Sequence, residues 1–530
     1  MKFKIRDYED IRKKVEEMSI SQLLSAVICP DYNLAKDTPD QNVLSMMFHP
    51  TDVQTAAQAG KDLNGKRENK ALIVADMEYG AGKAVLGAVE FPSMRAVAET
   101  GDGQLAYDMG IHAAKEARQS GYHWTFGPCV DILGYKRNPI VSIRTAGEDA
   151  DTVIQYGGAY MRGLQDGGLI ATLKHFPGDG YCENDQHITT PDNPLSRDEW
   201  DKSFGRVYQT LIDQGAMSIM PGHITLPVYD EIDEETGLYP PATLSKNLLT
   251  ELLKKKLGFE GIIISDAIVM NGFCGYMNIY RASARFLEAG GDCLLFMHPT
   301  DEYFDTMKAL IDEGALTIET LKNRAYRMMC FSKQYFEEHP INASSEFDRA
   351  AAEACAMETV RKSVAVIRDR KSTLPLQKNA RIAHVILGNV GMSAASTAAA
   401  EDLTRRLVEM GISVEERKDP GGSAIRRMAK SGDYDVILCS IINEMVYGLN
   451  VVKLSGPVAR NMMSGWMRYG TPAVFISYFD PYFGDDFYAC TDTLINTYGY
   501  TGYTNDEIIR RLFDTKKTIK AGFPFEDQSN

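Results

Sequence analysis

LIATLKHFPGDGYCENDQH, residues 169–187, is the stretch on which the fold turns. It opens with a short apolar run, LIATLKH (169–175), and passes into a loop carrying Pro177, Gly178 and Gly180. A run of that length, ended by Gly and Pro, reads as a strand buried on both faces. Seven more runs share its character: LLSAVIC (23–29), VLSMMFH (43–49), ALIVAD (71–76), WTFGPCVDI (124–132), AMSIMPGH (216–223), GIIISD (261–266) and DCLLFMH (292–298). Helical patterns lie between several of them. One follows Ser196, with Glu199 completing a capping box. Another starts at Ser245, carries Leu248, Leu249, Leu252, Leu253 and Leu257 on one face, and stops at Gly258. Strand–helix alternation repeated about eight times predicts an α/β fold whose first part is a (β/α)8 TIM-type barrel, a unit of about 250 residues. The alternative is an open doubly wound sheet. The first run reads equally well as helix.

The ends of these runs carry the polar chemistry. Asp76, Asp131, Lys174, His175, His223, Asp266 and His298 stand at or just beyond them. In a parallel barrel those ends converge on the face where active sites are built. A single Asp there is often no more than a helix cap. Lys and His are poor caps, so the set asks for another explanation.

Around 335–350, YFEEHPINASSEFDRA, the apolar pattern lapses. We place the barrel at 1–345 and a second domain at 346–530. The second part begins with a predicted helix at 348–362. Strand candidates follow at SVAVIRD (363–369), AHVILGN (383–389), DVILCSI (435–441), AVFISYF (473–479) and TLINTYG (493–499), with a helix at 401–411. This predicts a smaller α/β domain with an open sheet.

Composition narrows the function. With 44% hydrophobic and 24% charged residues the chain is an ordinary globular one. Its net charge of −15 argues against nucleic acid or an anionic membrane as partner. No apolar run approaches a membrane span, and MKFKIRDYEDIRKKVEEM lacks the core of a signal peptide. Nine scattered cysteines, with no CxxC pair, read as reduced thiols in a cytoplasmic protein. No metal site, cofactor or nucleotide is expected: YGAGKAVLG (79–87) satisfies neither GxxxxGK[ST] nor GxGxxG, and HExxH and GxSxG are missing. A homo-oligomer is left open.

The densest polar segment remains 173–187, with Lys174 and His175 leaving a strand and Asp185 and His187 in the loop beyond. Buried Lys and His are costly without partners, and at a strand end they suit the hydroxyls of a polar ligand. KHFPGDG…DQH resembles the KHFPGHG…DSH signature of bacterial β-N-acetylglucosaminidases of glycoside hydrolase family 3. ADMEYG (75–80), FGPCVDI (126–132), SIRTAGED (142–149), MPGHITLP (220–227), PATLS (241–245), GFEGIIISDAIVM (258–270) and AGGDCLLF (289–296) resemble further segments of that family, in family order. The part from 361 onward resembles, more loosely, its accessory α/β domain.

The resemblance implies a retaining exo-acting β-glycosidase with a small carbohydrate substrate. Asp266 would be the nucleophile, and His187, assisted by Asp185, the acid/base. Asp76, Arg144, Lys174 and His175 would hold the sugar, while Asp131 and His223 are ambiguous, with support of the strand ends as one role open to them. The chain departs from the family pattern at Asp179, where the signature has His, at Gln186, where it has Ser, and at Tyr79, where it has Gly. An Arg usual after the second motif has no equivalent; Lys83 is out of register. Glu183 and Glu444 are outside candidates for the acid/base. Three functions compete: hydrolysis of terminal β-N-acetylglucosaminides, phosphorolysis or β-glucosidase action on the same fold, and non-catalytic sugar binding or assembly. The loop's Pro and Gly residues suggest that it moves.

Overall fold

The computed structural model describes residues 2–35, 42–65, 67–340, 346–388, 394–444, 447–448 and 456–514. The chain forms two compact units, one of Met1–Met94 with Asp102–Glu353 and one of Arg95–Gly101 with Ala354–Asn530.

In the first unit, apart from a short pair formed by Thr51–Asp52 and Val85–Leu86, eight barrel strands follow one another: β1 (Ile28–Cys29), β2 (Ser45–Met47), β3 (Leu72–Ala75), β4 (Trp124–Thr125), β5 (Ile170–Phe176), β6 (Ser218–Pro221), β7 (Ile262–Ile263) and β8 (Leu294–Leu295). Strands β2 to β7 pair in sequence order, all parallel. The ring closes through a β1–β8 pairing, an Asp31–Met47 bridge between the first two strands and an Ile264–Cys293 bridge between the last two. This is the closed (β/α)8 barrel. Closure leaves no edge, so every strand is covered on both faces, which is why the runs are apolar throughout rather than alternating.

Each predicted run contains a strand. The first also contains a helix, Ile20–Ala26, started by a capping box between Ser19 and Gln22, so LLSAVIC is helix and strand in succession. Interior side chains such as Ile73, Val74, Trp124, Ile170, Ile219 and Ile262 are buried. Burial of each large apolar side chain stabilises the fold by about 1.5–3 kcal/mol. The Ser196–Glu199 capping box is present. In the helix Asn247–Lys256, Leu248, Leu249, Leu252 and Leu253 are buried as the leucine stripe requires.

The second unit holds a six-stranded mixed sheet built from β9 (Ala365–Asp369), β10 (Arg381–Gly388), β11 (Ser413–Lys418), β12 (Val436–Ile442), β13 (Ala473–Ser477) and β14 (Thr493–Asn496). Their order is β9–β14–β13–β12–β10–β11, with only β9 antiparallel to its neighbour. Five of these strands match the expectation. The sixth, β11, reads SVEERK and lies at the sheet edge with no buried position. An edge strand packs little and is protected by charge, so it carries no apolar signal. Among the described residues no helix is long and apolar enough to cross a membrane.

Candidate active site

The site is assembled from the carboxyl ends of the barrel strands. Lys174 and His175 are the last polar residues of β5, where the register against β6 slips between Lys174 and Phe176. Such a bulge re-aims side chains. Asp131 reaches the same place along a segment that runs beside β5, where the Val130 N–H donates to the Lys174 carbonyl (2.8 Å).

Asp266 follows β7. Its Oδ1 accepts the Ala267 N–H at 2.8 Å, and its Oδ2 lies 3.9 Å from His175 Nε2. Burial acts to raise its pKa, but His175, His223, Lys174 and His187 outweigh burial and hold the carboxyl below the usual carboxylate range. An ionised carboxylate among imidazoles and an ammonium is equipped for nucleophilic attack on an electron-poor carbon.

His175 is held by Asp131. One Asp131 oxygen lies 2.8 Å from His175 Nδ1, and the other accepts the backbone N–H of His175 at 3.1 Å and of Asp179 at 2.8 Å. The Cys129 thiol donates to the same carboxylate at 3.1 Å. Cys129, Asp131 and His175 place ligand atoms within 4.8 Å of one another, a spacing that a metal ion could bridge. Burial first, then the Asp131 charge, pushes the Cys129 thiol well up, so the trio is satisfied as a hydrogen-bonded chain with sulfur protonated.

Lys174 Nζ donates to Asp76 Oδ1 (3.0 Å) and pairs with Glu78 Oε1 (2.8 Å). Arg144 grips Glu78 with two nitrogens, Nε at 2.9 Å and Nη2 at 2.7 Å. Burial would raise the Glu78 pKa, but Arg144 and Lys174 bring it well below its ordinary value. The result is a preorganised fork-and-ammonium surface with an exposed carboxylate, Asp76, at its edge. Such an array suits a molecule presenting several hydroxyls. Glu78 is the member the sequence reading passed over. It lies inside ADMEYG, two residues beyond Asp76, and that spacing was the available signal. The Tyr160 hydroxyl fixes this turn, donating to the Met77 carbonyl (3.0 Å) and accepting the Gly80 N–H (2.8 Å).

Asp185 and His187 form a close pair. Asp185 Oδ1 accepts the His187 N–H at 2.9 Å and lies 2.6 Å from its Nδ1. The Asp185 side chain is fully buried, whereas that of His187 is 27% exposed, so the ring is supported from within and open toward solvent. The His187 imidazole is among the groups that lower the Asp266 pKa. The loop before it is fastened rather than bare. Trp200 Nε1 donates to the Pro177 carbonyl (2.8 Å), Asn193 Nδ2 to the Gly178 carbonyl (3.0 Å) and Asn138 Nδ2 to Asp179 Oδ1 (2.8 Å). The loop's two glycines serve close packing. Gly178 and Gly180 have φ of 123° and 111°, and a Cβ on them would meet Phe204 and the Ile132 carbonyl at 2.2 and 2.1 Å.

His223 is a strand-end support, with Nδ1 3.0 Å from the Thr243 hydroxyl and Nε2 3.1 Å from the Ala267 carbonyl. Asp179 is buried, and burial followed by the Asp131 charge raises its pKa to about 6. Glu183 is exposed and accepts the Tyr135 hydroxyl. Glu444 lies in the second unit, just past β12.

A closed parallel barrel with a buried carboxylate, a Lys–Arg–carboxylate array and an imidazole–carboxylate pair at its carboxyl face has the make-up of a barrel enzyme's active site. Residues 11–330, more than half of the chain, match the glycosyl hydrolase family 3 N-terminal domain, and the protein belongs to glycoside hydrolase family 3. It is a glycosidase acting on O-glycosyl bonds. A Cellulomonas fimi protein named β-N-acetylglucosaminidase/β-glucosidase is 31% identical over 533 residues, covering 95% of this chain and 93% of its own. A Methylobacillus flagellatus β-hexosaminidase is 29% identical over 247 residues, 45% of this chain and 68% of that one. Among solved structures, the β-glucoside phosphorylase BglX superposes with a TM-score of 0.86 at 26% identity, over 97% of this chain and 95% of that one. A family 3 β-N-acetylglucosaminidase from Paenibacillus sp. str. FPU-7 shares the fold, with a TM-score of 0.78 at 21% identity over 94% and 97% of the two chains.

Proposed function

We propose that this protein is a retaining, exo-acting β-glycosidase that releases terminal β-N-acetylglucosamine through a glycosyl ester on Asp266. In the first step an Asp266 oxygen bonds to the anomeric carbon as the glycosidic C–O bond breaks, and His187 gives its proton to the departing oxygen. In the second, His187 takes a proton from water as that water bonds to the anomeric carbon and frees Asp266. Asp185 orients the imidazole and offsets its charge. Asp76, Arg144, Lys174 and His175 hold the sugar, with Glu78 aligning Arg144 and Lys174. The observation that carries this reading is the 2.6 Å Asp185–His187 pair on the loop that leaves the strand end of His175, whose Nε2 lies 3.9 Å from Asp266. The chemistry lies in the barrel, here assigned to 1–345, with 346–530 as an accessory domain. Nine cysteines scattered along the sequence without a CxxC spacing support a reducing, cytoplasmic setting.

A second reading is favoured by the same pair. An imidazole acid/base does not repel an incoming anion as a second carboxylate would, so phosphate can replace water as the acceptor. The likeness to a β-glucoside phosphorylase over nearly the whole chain supports this, and it extends the sugar candidates to glucose. A nitrophenyl-glycoside panel assayed with and without phosphate separates the readings. Fast release from the N-acetylglucosaminide, unaffected by phosphate and yielding the free sugar with retained configuration, is expected. A sugar 1-phosphate product establishes the second reading, and inversion overturns both.

A further inference from the structure

We propose that Gln186, the spacer between Asp185 and His187, is a positioning residue that ties the loop to the end of β6 and so sets where the His187 ring stands relative to Asp266. The proposal rests on the reading of His187 as acid/base.

In the turn at Asp185 the Asp185 side chain accepts the His187 N–H, while the side chain between them, Gln186, reaches the end of β6. Gln186 is 1% exposed. Its Oε1 accepts the backbone N–H of His223 at 2.8 Å, which fixes the orientation of the amide, because only oxygen can accept there. Its Nε2 is buried and has no partner among the described residues. Two glycines make room for Gln186, Gly222 beside its side-chain amide and Gly272 beside its backbone carbonyl. A Cβ on Gly222 would come within 2.8 Å of Gln186 Oε1 and 3.0 Å of His175 Cβ, and one on Gly272 within 2.5 Å of the Gln186 carbonyl oxygen. The loop is attached a second time beyond Asp266, where the Asn271 N–H donates to the His187 carbonyl (3.1 Å) and Asn271 Nδ2 to the Ile188 carbonyl (2.7 Å). His223, held by Gln186, in turn reaches the Ala267 carbonyl with Nε2 (3.1 Å). One short path therefore joins His187, Gln186, His223, Ala267 and Asp266. The Ser of the resembled motif is shorter by two bonds, roughly 2.5 Å, and does not span this gap.

The test uses the full chain and compares Gln186→Ser, Gln186→Met and His187→Ala on dinitrophenyl and alkyl β-N-acetylglucosaminides, with pH profiles and thermal melts. If Gln186 positions the imidazole, both Gln186 variants lose kcat/KM on the alkyl glycoside by about tenfold or more, with kcat/KM on the dinitrophenyl glycoside nearly unchanged. Their basic limb of kcat/KM shifts as well. Equal losses on both leaving groups, or none on either, while His187→Ala discriminates between them, overturn the role of Gln186 alone. A His187→Ala variant that does not discriminate overturns the acid/base reading, and the proposal with it.

Discussion

His175 stands between two carboxylates: its Nδ1 is 2.8 Å from Asp131 Oδ2, and its Nε2 is 3.9 Å from Asp266 Oδ2. Asp131 thereby selects the tautomer and the ring angle that His175 presents to Asp266. An amide in its place would keep the shape and lose the charge. We expect Asp131→Asn to fold and to lose kcat/KM by up to about 10⁴-fold, the loss seen when a buried Asp that orients a catalytic imidazole becomes Asn. Near-normal kcat/KM would show that Asp131 only props up the strand end.

Asp266→Ala is expected to abolish turnover while leaving the melting temperature within a few degrees of the parent. A fluorosugar adduct mapped by mass spectrometry should sit on Asp266. Because the carboxyl is held below its ordinary value of 3.8, it stays ionised as pH falls to that point, so any acid limb it sets lies lower still. Labelling of another carboxylate would reassign the nucleophile.

His187→Ala should slow glycosylation most for poor leaving groups, which need a proton on the departing oxygen. Asp185→Ala should show a milder form of the same dependence. A flat leaving-group series in both variants would make the pair structural and return the search to Glu183 and Glu444.

At the amino end of β8, Asp292 accepts the Ile263 N–H (3.0 Å) and Arg327 Nε (2.9 Å), with Arg324 and Lys254 at 3.8 and 4.0 Å. Burial opposes ionisation, yet Arg327, Lys254 and Arg324 lower its pKa to about 2. A lowered folded pKa means stability that is complete above the unfolded value near 3.8 and lost as pH falls toward 2, about 2 kcal/mol in all. Urea melts should show this loss. Asp292→Ala should cost about 3–5 kcal/mol at pH 7 by leaving buried cations uncompensated. A variant as stable as the parent would refute the account.

Exhaustive chelation should leave activity unchanged, since Cys129, Asp131 and His175 already satisfy one another with the thiol protonated. Activity that collapses on chelation and returns with a divalent ion would turn that trio into a metal centre.

Eight barrel strands, five of the six sheet strands and the residues at the strand ends were legible in the amino-acid order. Local burial and local turn chemistry write themselves into neighbouring residues: an apolar run such as 261–264, a capping box at Ser196, an Asp185-x-His187 spacing. What needed the folded chain is everything that joins residues far apart in sequence. β11 was hidden because an edge strand is specified by its partner β10 and not by its own apolar content. The grip of Arg144 on Glu78, the hold of Asp131 on His175 and the reach of Gln186 to His223 span 66, 44 and 37 positions. Closing the barrel brings these strand ends together, and only then do distance and burial decide which charge is paired, which carboxyl stays ionised and which ring nitrogen faces Asp266.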